Sequence, residues 1–195
     1  LPNSKLLIIG NGNLLNKLEK KVNELGLVSF VYNGQETVPL NCDVYFLGFQ
    51  SNPFFFMSHS SVFVLSSLWE GLPNVVIEAL ACSIPIVSSD CKSGPREILS
   101  FIDDLSYSPM KMEVVKYGIL MPQPIMGDSN DRTNINNQKL WSEVLIKVGS
   151  DKNIQKRFSK ISKNGAKLFD SKKITENWLR LIDNTILKSK RSNIF

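Results

Sequence analysis

Two carboxylates with seven residues between them, Glu70 and Glu78, flank a proline that can open a helix. Proline is tolerated in the first helical turn because its missing N–H would lack a partner there anyway. With Pro73 as the first helical residue, the amides of Asn74 and Val75 have no intrahelical acceptor and point out of the helix start, where the macrodipole also favours negative charge. The chemistry of such a place is anion binding, and a diphosphate fits it. Asn74 and Glu78 are four residues apart and share a helix face, while Val76, Leu80 and Ser83 follow the opposite, inward row. Glu78 then reaches past the anion, and a carboxylate there is an acceptor suited to the two hydroxyls of a ribose. For either glutamate taken singly, the plainer reading of a solvated helix residue or a loop carboxylate is the favoured one.

The surrounding elements place this segment at the edge of a sheet. Residues 6–9 are a short apolar run closed by Gly10-Asn11-Gly12, and Leu14, Leu15, Leu18, Val22 and Leu25 follow at helical spacing. Gly26 marks that helix's end, and residues 28–32 read as a strand running into Asn33-Gly34, a hairpin signal, with 33–43 as an excursion. Further strands are expected at 44–47, 62–65, 85–88 and 117–121, the strand at 62–65 being a buried one. Asn52-Pro53 supplies the cap and first turn of a short helix carrying residues 54–57, the Pro73 helix runs to about Cys82, and Gly94-Pro95 begins another turn. This alternation predicts an α/β fold: a Rossmann-like, doubly wound parallel sheet with helices on both faces over residues 1–121. Residues 122–135, with Gly127-Asp128-Ser129-Asn130, read as a polar linker, and 136–195 as C-terminal helices near 136–149, 151–168 and 174–188. The length of 195 residues predicts a single domain. In open parallel sheets ligands bind beyond the carboxyl ends of the strands, and residues 66–70 form the loop leaving the strand at 62–65.

Composition excludes several function classes. No apolar run approaches the roughly 18 residues of a membrane-spanning helix, and the first ten residues lack a signal peptide's basic flank and cleavage site, so a cytoplasmic protein is expected. Cys42, Cys82 and Cys91 have no metal-ligand spacing and the lone His59 cannot complete a set, so reduced structural thiols and no metal are expected. A net charge of +5 suits anionic partners, but much of the excess follows residue 150 in lysine-rich helical sequence, where a solvated face is the favoured reading. Basic and aromatic residues do not interleave, so nucleic acid is not an expected partner. Phe54-Phe55-Phe56-Met57 is either a membrane-touching patch or helical core packing with one ring exposed, the latter favoured. Lys188, Lys190 and Arg191 suit anionic lipid, although a frayed terminus is the simpler account.

The string Ser66-Ser67-Leu68-Trp69-Glu70-Gly71-Leu72-Pro73-Asn74-Val75-Val76-Ile77-Glu78-Ala79-Leu80-Ala81-Cys82 closely resembles the signature of glycosyltransferase family 4, with that family's separation of the two glutamates. The likeness continues through Pro85-Ile86-Val87-Ser88, Asp90-Cys91 and Ser93-Gly94-Pro95-Arg96-Glu97-Ile98, and backwards through Val62-Phe63-Val64-Leu65 and Phe46-Leu47-Gly48-Phe49. The resemblance implies the C-terminal, donor-binding domain of a retaining GT-B enzyme, in which two Rossmann-like domains face across a cleft. It implies a nucleotide-sugar donor, UDP-linked in our reading, and a glycan or lipid-linked acceptor at the inner face of a membrane. Glu70 would then be the catalytic residue, contacting donor-sugar hydroxyls near the reacting carbon, with Gly71 and Leu72 shaping the sugar pocket. Glu78 would hold the ribose, and Asn74 and Val75 would present amides to the diphosphate in place of a metal. Gly48 and Phe49 would line the base pocket, strand-end packing being the equally weighted alternative. Gly10-Asn11-Gly12 would lie beside the cleft, although as a lone G-x-G it reads first as a plain turn. Trp178, Leu179, Leu181, Ile182 and Ile186 form an amphipathic helix that packs on the sheet or crosses towards the other domain.

The sequence departs from the family at Ser83, where glycine is usual, and in residues 32–43, which look inserted. The family's arginine and lysine for the diphosphate precede the strand at 6–9, and its N-terminal acceptor domain precedes them. The expectation is therefore a piece of a longer transferase, inactive alone. Two alternatives stand beside it: a non-catalytic nucleotide-sugar-binding or interaction module, and a nucleotide-sugar epimerase of the same architecture.

Overall fold

The computed structural model describes residues 4–34, 37–100, 111–127 and 131–192, with side chains to residue 186. Where the length predicted one compact unit, contacts gather into two, Leu1–Phe56 and Met57–Phe195, each with its own sheet and its own clusters of buried side chains.

The first unit holds β1 (Leu6–Ile9), α1 (Leu15–Glu24), β2 (Ser29–Val31) and β3 (Val44–Gly48), with α2 (Pro53–His59) beginning at its end. Its strands lie in the order β1-β3-β2, all parallel. Successive strand residues point to opposite faces, so Val44 and Phe46 pack with Val22 of α1, while Tyr45 and Leu47 pack with Cys42, Phe30 and Phe56. The hairpin suggested by Asn33-Gly34 does not form, because β2 and β3 run parallel and parallel neighbours need a longer crossover than a tight turn. The stretch from 32 to 43 is that crossover, residues 35 and 36 lying outside the described ones. The Tyr45 hydroxyl tethers it, donating to the Pro39 carbonyl at 2.7 Å and accepting the Cys42 N–H at 3.3 Å. In α2 two rings face outward rather than one: Phe54 and Phe55 are exposed, and only Phe56 joins the cluster of its unit.

The second unit comprises β4 (Phe63–Leu65), α3 (Asn74–Ala81), β5 (Ile86–Ser89), α4 (Pro95–Ser100), β6 (Glu113–Val114), β7 (Ile119–Met121), α5 (Arg132–Ser150), α6 (Lys152–Ala166), a 3-10 turn (Lys167–Phe169) and α7 (Ser171–Ser192). The order is β4-β5-β7-β6, parallel except for β6, which pairs antiparallel with β7. Two residues are too few to carry a periodic signal, so this strand was not legible in sequence. Among the described residues β4 pairs with β5 alone, and Val64 stays 37% exposed, so it is an edge strand of its sheet rather than the buried strand expected.

Ile86 and Leu120 face Val76 and Leu80 of α3 and Ile98 and Leu99 of α4. Val87, Ile119 and Met121 face Trp141, Val144 and Val148 of α5 and Phe158 of α6. Helices thus cover both faces, as strand and helix alternation predicts for an α/β fold. Each large side chain so buried contributes roughly 1.5–3 kcal/mol.

α5 starts four residues earlier than its periodicity indicates, inside the predicted linker, because the Asp131 carboxylate accepts the Thr133 and Asn134 N–H groups and caps it. Asp128, Ser129 and Asn130 lie outside the described residues, as do the side chains of Lys188, Lys190 and Arg191. The apolar residues of α7, from Trp178 to Ile186, do not pack on the sheet and are exposed. Among the described residues, no helix is long and apolar enough to cross a membrane.

Candidate functional site

The loop from 66 to 73 leaves the carboxyl end of β4 and carries Glu70. Distant side chains fasten it through its backbone carbonyls. Ser89 Oγ donates to Ser67 O at 2.6 Å and Cys91 Sγ to the same oxygen at 3.3 Å. Gln123 Nε2 donates to Leu68 O at 2.8 Å, and Ser93 Oγ to Glu70 O at 2.6 Å. Gly94 closes the clamp, for a Cβ there would sit 2.3 Å from Gly71 O and 2.4 Å from Pro73 Cδ. Its φ of +91° is also one that side-chain-bearing residues avoid. The Glu97 carboxylate accepts the Gly94 N–H at 2.9 Å, the return half of a capping box at the start of α4.

Pro73 is the cap of α3 rather than its first residue: its ψ of 95° is extended, and its carbonyl accepts the Val76 N–H at 2.9 Å. The helix starts at Asn74, and the consequence for anion binding is unchanged. Among the described residues nothing accepts from the Asn74 or Val75 amides. Val76, Ala79 and Leu80 are fully buried, which turns Asn74 outward; Val75 and Glu78 are half-buried. At the other end of α3, the Cys82 thiol is pushed up by burial and then by the charge of Glu78 one turn before it.

Glu70 lines a cavity of about 290 Å³ together with Trp69, Lys92, Ser93 and Gln123. Gly71, Leu72, Asn74, Val75 and Glu78 do not line it; Gly71, Leu72 and Asn74 stand exposed along the loop and helix start. Gly48 and Phe49 belong to the first unit, where Gly48 ends β3 and Phe49 follows it, 77% exposed. Ser93 stood in the matched string, but nothing in the sequence pointed to Lys92 or Gln123 as neighbours of Glu70. A second cavity of about 540 Å³ lies between Ser66 and the first turns of α5, lined by Asn134, Asn137, Gln138 and Trp141 among others. Gln123 belongs to the smaller cavity's wall, and its carbonyl accepts from Asn137 Nδ2 of the larger at 2.7 Å.

Beneath the clamp runs a buried ion cluster. Arg96 of α4 grips Asp90 with Nε at 3.0 Å and Nη2 at 2.5 Å, and Nη2 also reaches Glu113 of β6 at 2.9 Å. Burial pushes the Asp90 carboxyl up despite the guanidinium beside it, a sign that desolvation outweighs pairing. For Arg96 the balance is reversed: burial lowers its pKa, but bonds to Asp90 and Glu113 raise it further. Removing one member of such a pair costs more than the pair itself contributes, because the remaining charge is left buried without a partner.

The chain as a whole is similar to known proteins. An uncharacterized glycosyltransferase of Methanocaldococcus jannaschii is 42% identical over 95% of this chain and 43% of its own length. A 4-alpha-N-acetylgalactosaminyltransferase of Campylobacter jejuni, named for a diphospho-undecaprenol substrate, is 31% identical over 91% of this chain and 38% of its own. The chain therefore spans less than half the length of these relatives. The crystal structure of HepE from Anabaena, in complex with UDP and glucose, superposes with a TM-score of 0.61 at 18% identity, over 94% of this chain and 41% of HepE, a likeness of fold. Because the profile of the family described as Glycosyl transferases group 1 also matches residues 1–101, more than half of the sequence, the chain belongs to that family of glycosyltransferases.

Proposed function

We propose that this chain is the donor-binding part of a retaining, family 4 glycosyltransferase of GT-B architecture. It moves a sugar from a UDP-sugar to a glycan or lipid-linked acceptor, and an N-terminal domain of the same enzyme completes the cleft. The observation that carries this reading is the pair of unpartnered amides, Asn74 and Val75, opening α3 directly after the fastened loop that holds Glu70. The UDP and glucose in the Anabaena structure and the undecaprenol-linked substrate named for the Campylobacter relative support the donor and acceptor classes.

In this reading the diphosphate sits on the two amides, and Glu78 accepts the ribose hydroxyls from one turn further along α3. Glu70 meets hydroxyls of the donor sugar, and Gly71 and Leu72 border it. As the acceptor hydroxyl oxygen bonds to the anomeric carbon, the bond to the diphosphate breaks, the electron pair leaves with the diphosphate, and the hydroxyl proton passes to that departing group. Amides and a helix dipole already aimed at that charge stabilise it without reorganising, which is where such sites gain most of their rate. Lys92, on the same wall as Glu70, adds a cation, so the reaction needs no metal. The reading also places the enzyme in the cytoplasm, at the inner face of a membrane.

Calorimetric titration with UDP-glucose and UDP-N-acetylglucosamine tests the assignment. Glu78→Ala should weaken both by about tenfold or more, since a hydrogen bond to a charged group is worth roughly 1.5–3 kcal/mol. Unchanged affinity in that variant would sink the ribose role. Glu70→Gln should retain UDP binding while losing discrimination between the two sugars.

A further inference from the structure

Residues 152–169 contain six lysine or arginine side chains and no aspartate or glutamate, more positive charge than the net +5 of the whole chain. Lys152, Lys156, Lys160 and Lys163 fall within an arc of about 80° at 3.6 residues per turn and run about 17 Å along α6, with Lys167 continuing the line. All five are exposed, opposite the face that buries Phe158, Ser162 and Gly165. A solvated helix face ordinarily mixes signs, because like charges four residues apart repel. Here the repulsion goes uncompensated. Among the described residues none of Lys156, Lys160, Lys163 or Lys167 pairs with a carboxylate. The two nearest acids in sequence are committed elsewhere: Asp151 accepts the Asn153 and Ile154 N–H groups as the cap of α6, and Asp170 accepts those of Lys172 and Lys173.

We infer that this stripe docks the protein on an anionic membrane surface. The chemistry favours lipid over nucleic acid. Five of the six cations are lysines, compact point charges suited to a diffuse headgroup layer rather than to bidentate phosphate recognition. The only aromatic residue of α6, Phe158, is buried, so the face offers no ring on which a base could stack. The stripe carries this inference whether or not the acceptor is lipid-linked.

Sedimentation of the chain with vesicles of 30% phosphatidylglycerol in phosphatidylcholine tests it, against pure phosphatidylcholine vesicles and a short DNA duplex. The parent should bind the anionic vesicles alone and release them in 0.5 M salt. Lys156→Gln/Lys160→Gln/Lys163→Gln should lower partitioning on the order of 100-fold, since each cation near such a surface contributes about fivefold. The Lys→Arg triple should retain binding, and Lys17→Gln/Lys20→Gln/Lys21→Gln on α1, which removes the same net charge, should change it less than about threefold. Equal losses in both Gln triples, no vesicle binding by the parent, or tighter binding to the duplex would each overturn the inference. Should the stripe's Gln triple fail to fold, loss of vesicle binding in the folded Arg triple would overturn it as well.

Discussion

The loop at 66–73 and the turn at 10–14 both leave the carboxyl end of a parallel strand, yet they are held by different means. The turn is joined by one bond between strands, Gly10 N–H to Gly48 O at 2.8 Å, and by a long 3.4 Å contact from the Leu15 N–H to Gly12 O. No side-chain hydrogen bond reaches it among the described residues. The loop, by contrast, has three of its carbonyls gripped by four side chains from positions 89 to 123 and is wedged by Gly94. A connection that only links strand and helix can be left to the backbone. In the function proposed above, the loop must also hold the Glu70 carboxylate close to a reacting sugar, and a rigid supporting shell serves that.

The largest effect that bears on this contrast lies under the loop. Arg96→Met should cost about 3–5 kcal/mol in denaturant unfolding, because it leaves Asp90 buried without its partner. Adding Asp90→Asn should recover much of that loss, and a double variant no better than the single would show that the cluster is not one unit. The pH response has a defined sign. Asp90 already has a raised pKa in the folded chain, and without Arg96 its pKa rises further, so the folded state binds a proton more tightly than the unfolded one. The stability of Arg96→Met should therefore climb as pH falls through the folded pKa towards the ordinary carboxylate range, and level off below it.

Two glycines separate the loops directly. Gly94→Ala combines the strain of a positive φ, about 1–2 kcal/mol, with overpacking against Gly71 and Pro73 of about 1–3 kcal/mol. Gly10→Ala has a positive φ too, but its Cβ meets nothing within 4 Å, so only the strain should appear. Equal destabilisation of the two in thermal or urea unfolding would break the comparison. Smallest is a gain at the far end of α3. Ser83 has a φ of +62° just past the helix, the place helices reserve for glycine, and its buried Oγ finds no partner among the described residues. Ser83→Gly should stabilise by about 1 kcal/mol, read as a higher urea midpoint at unchanged slope.

Ser83 also marks how far local signals reach. The helical period carried it onto the inward row with Val76 and Leu80, and only the family resemblance marked it as a place for glycine; in the structure it lies past the helix end with a positive φ. The Pro73 helix, its inward row of Val76 and Leu80, and its outward row of Asn74 and Glu78 were legible, since helical period and proline chemistry act within a few residues. The neighbours of Glu70 were not. Lys92 and Gln123 meet it in one cavity from 22 and 53 residues away, and no periodicity connects positions that far apart. The same limit hid the antiparallel β6 and made Asn33-Gly34 look like a hairpin, because a turn signal names a local bend and not the direction of the strand that follows.

The sequence by itself determined the alternation of strands and helices, the seven-residue interval between the two glutamates, and the lysine stripe of α6, all matters of spacing along the chain. Tertiary structure alone decided that the chain condenses into two units, that Ser89, Cys91, Ser93 and Gln123 converge on the carbonyls of one loop, and that Arg96 is shared by two acids. The physical reason is that apolar period and capping are short-range preferences, whereas a side chain reaching a distant carbonyl depends on where the whole fold brings it.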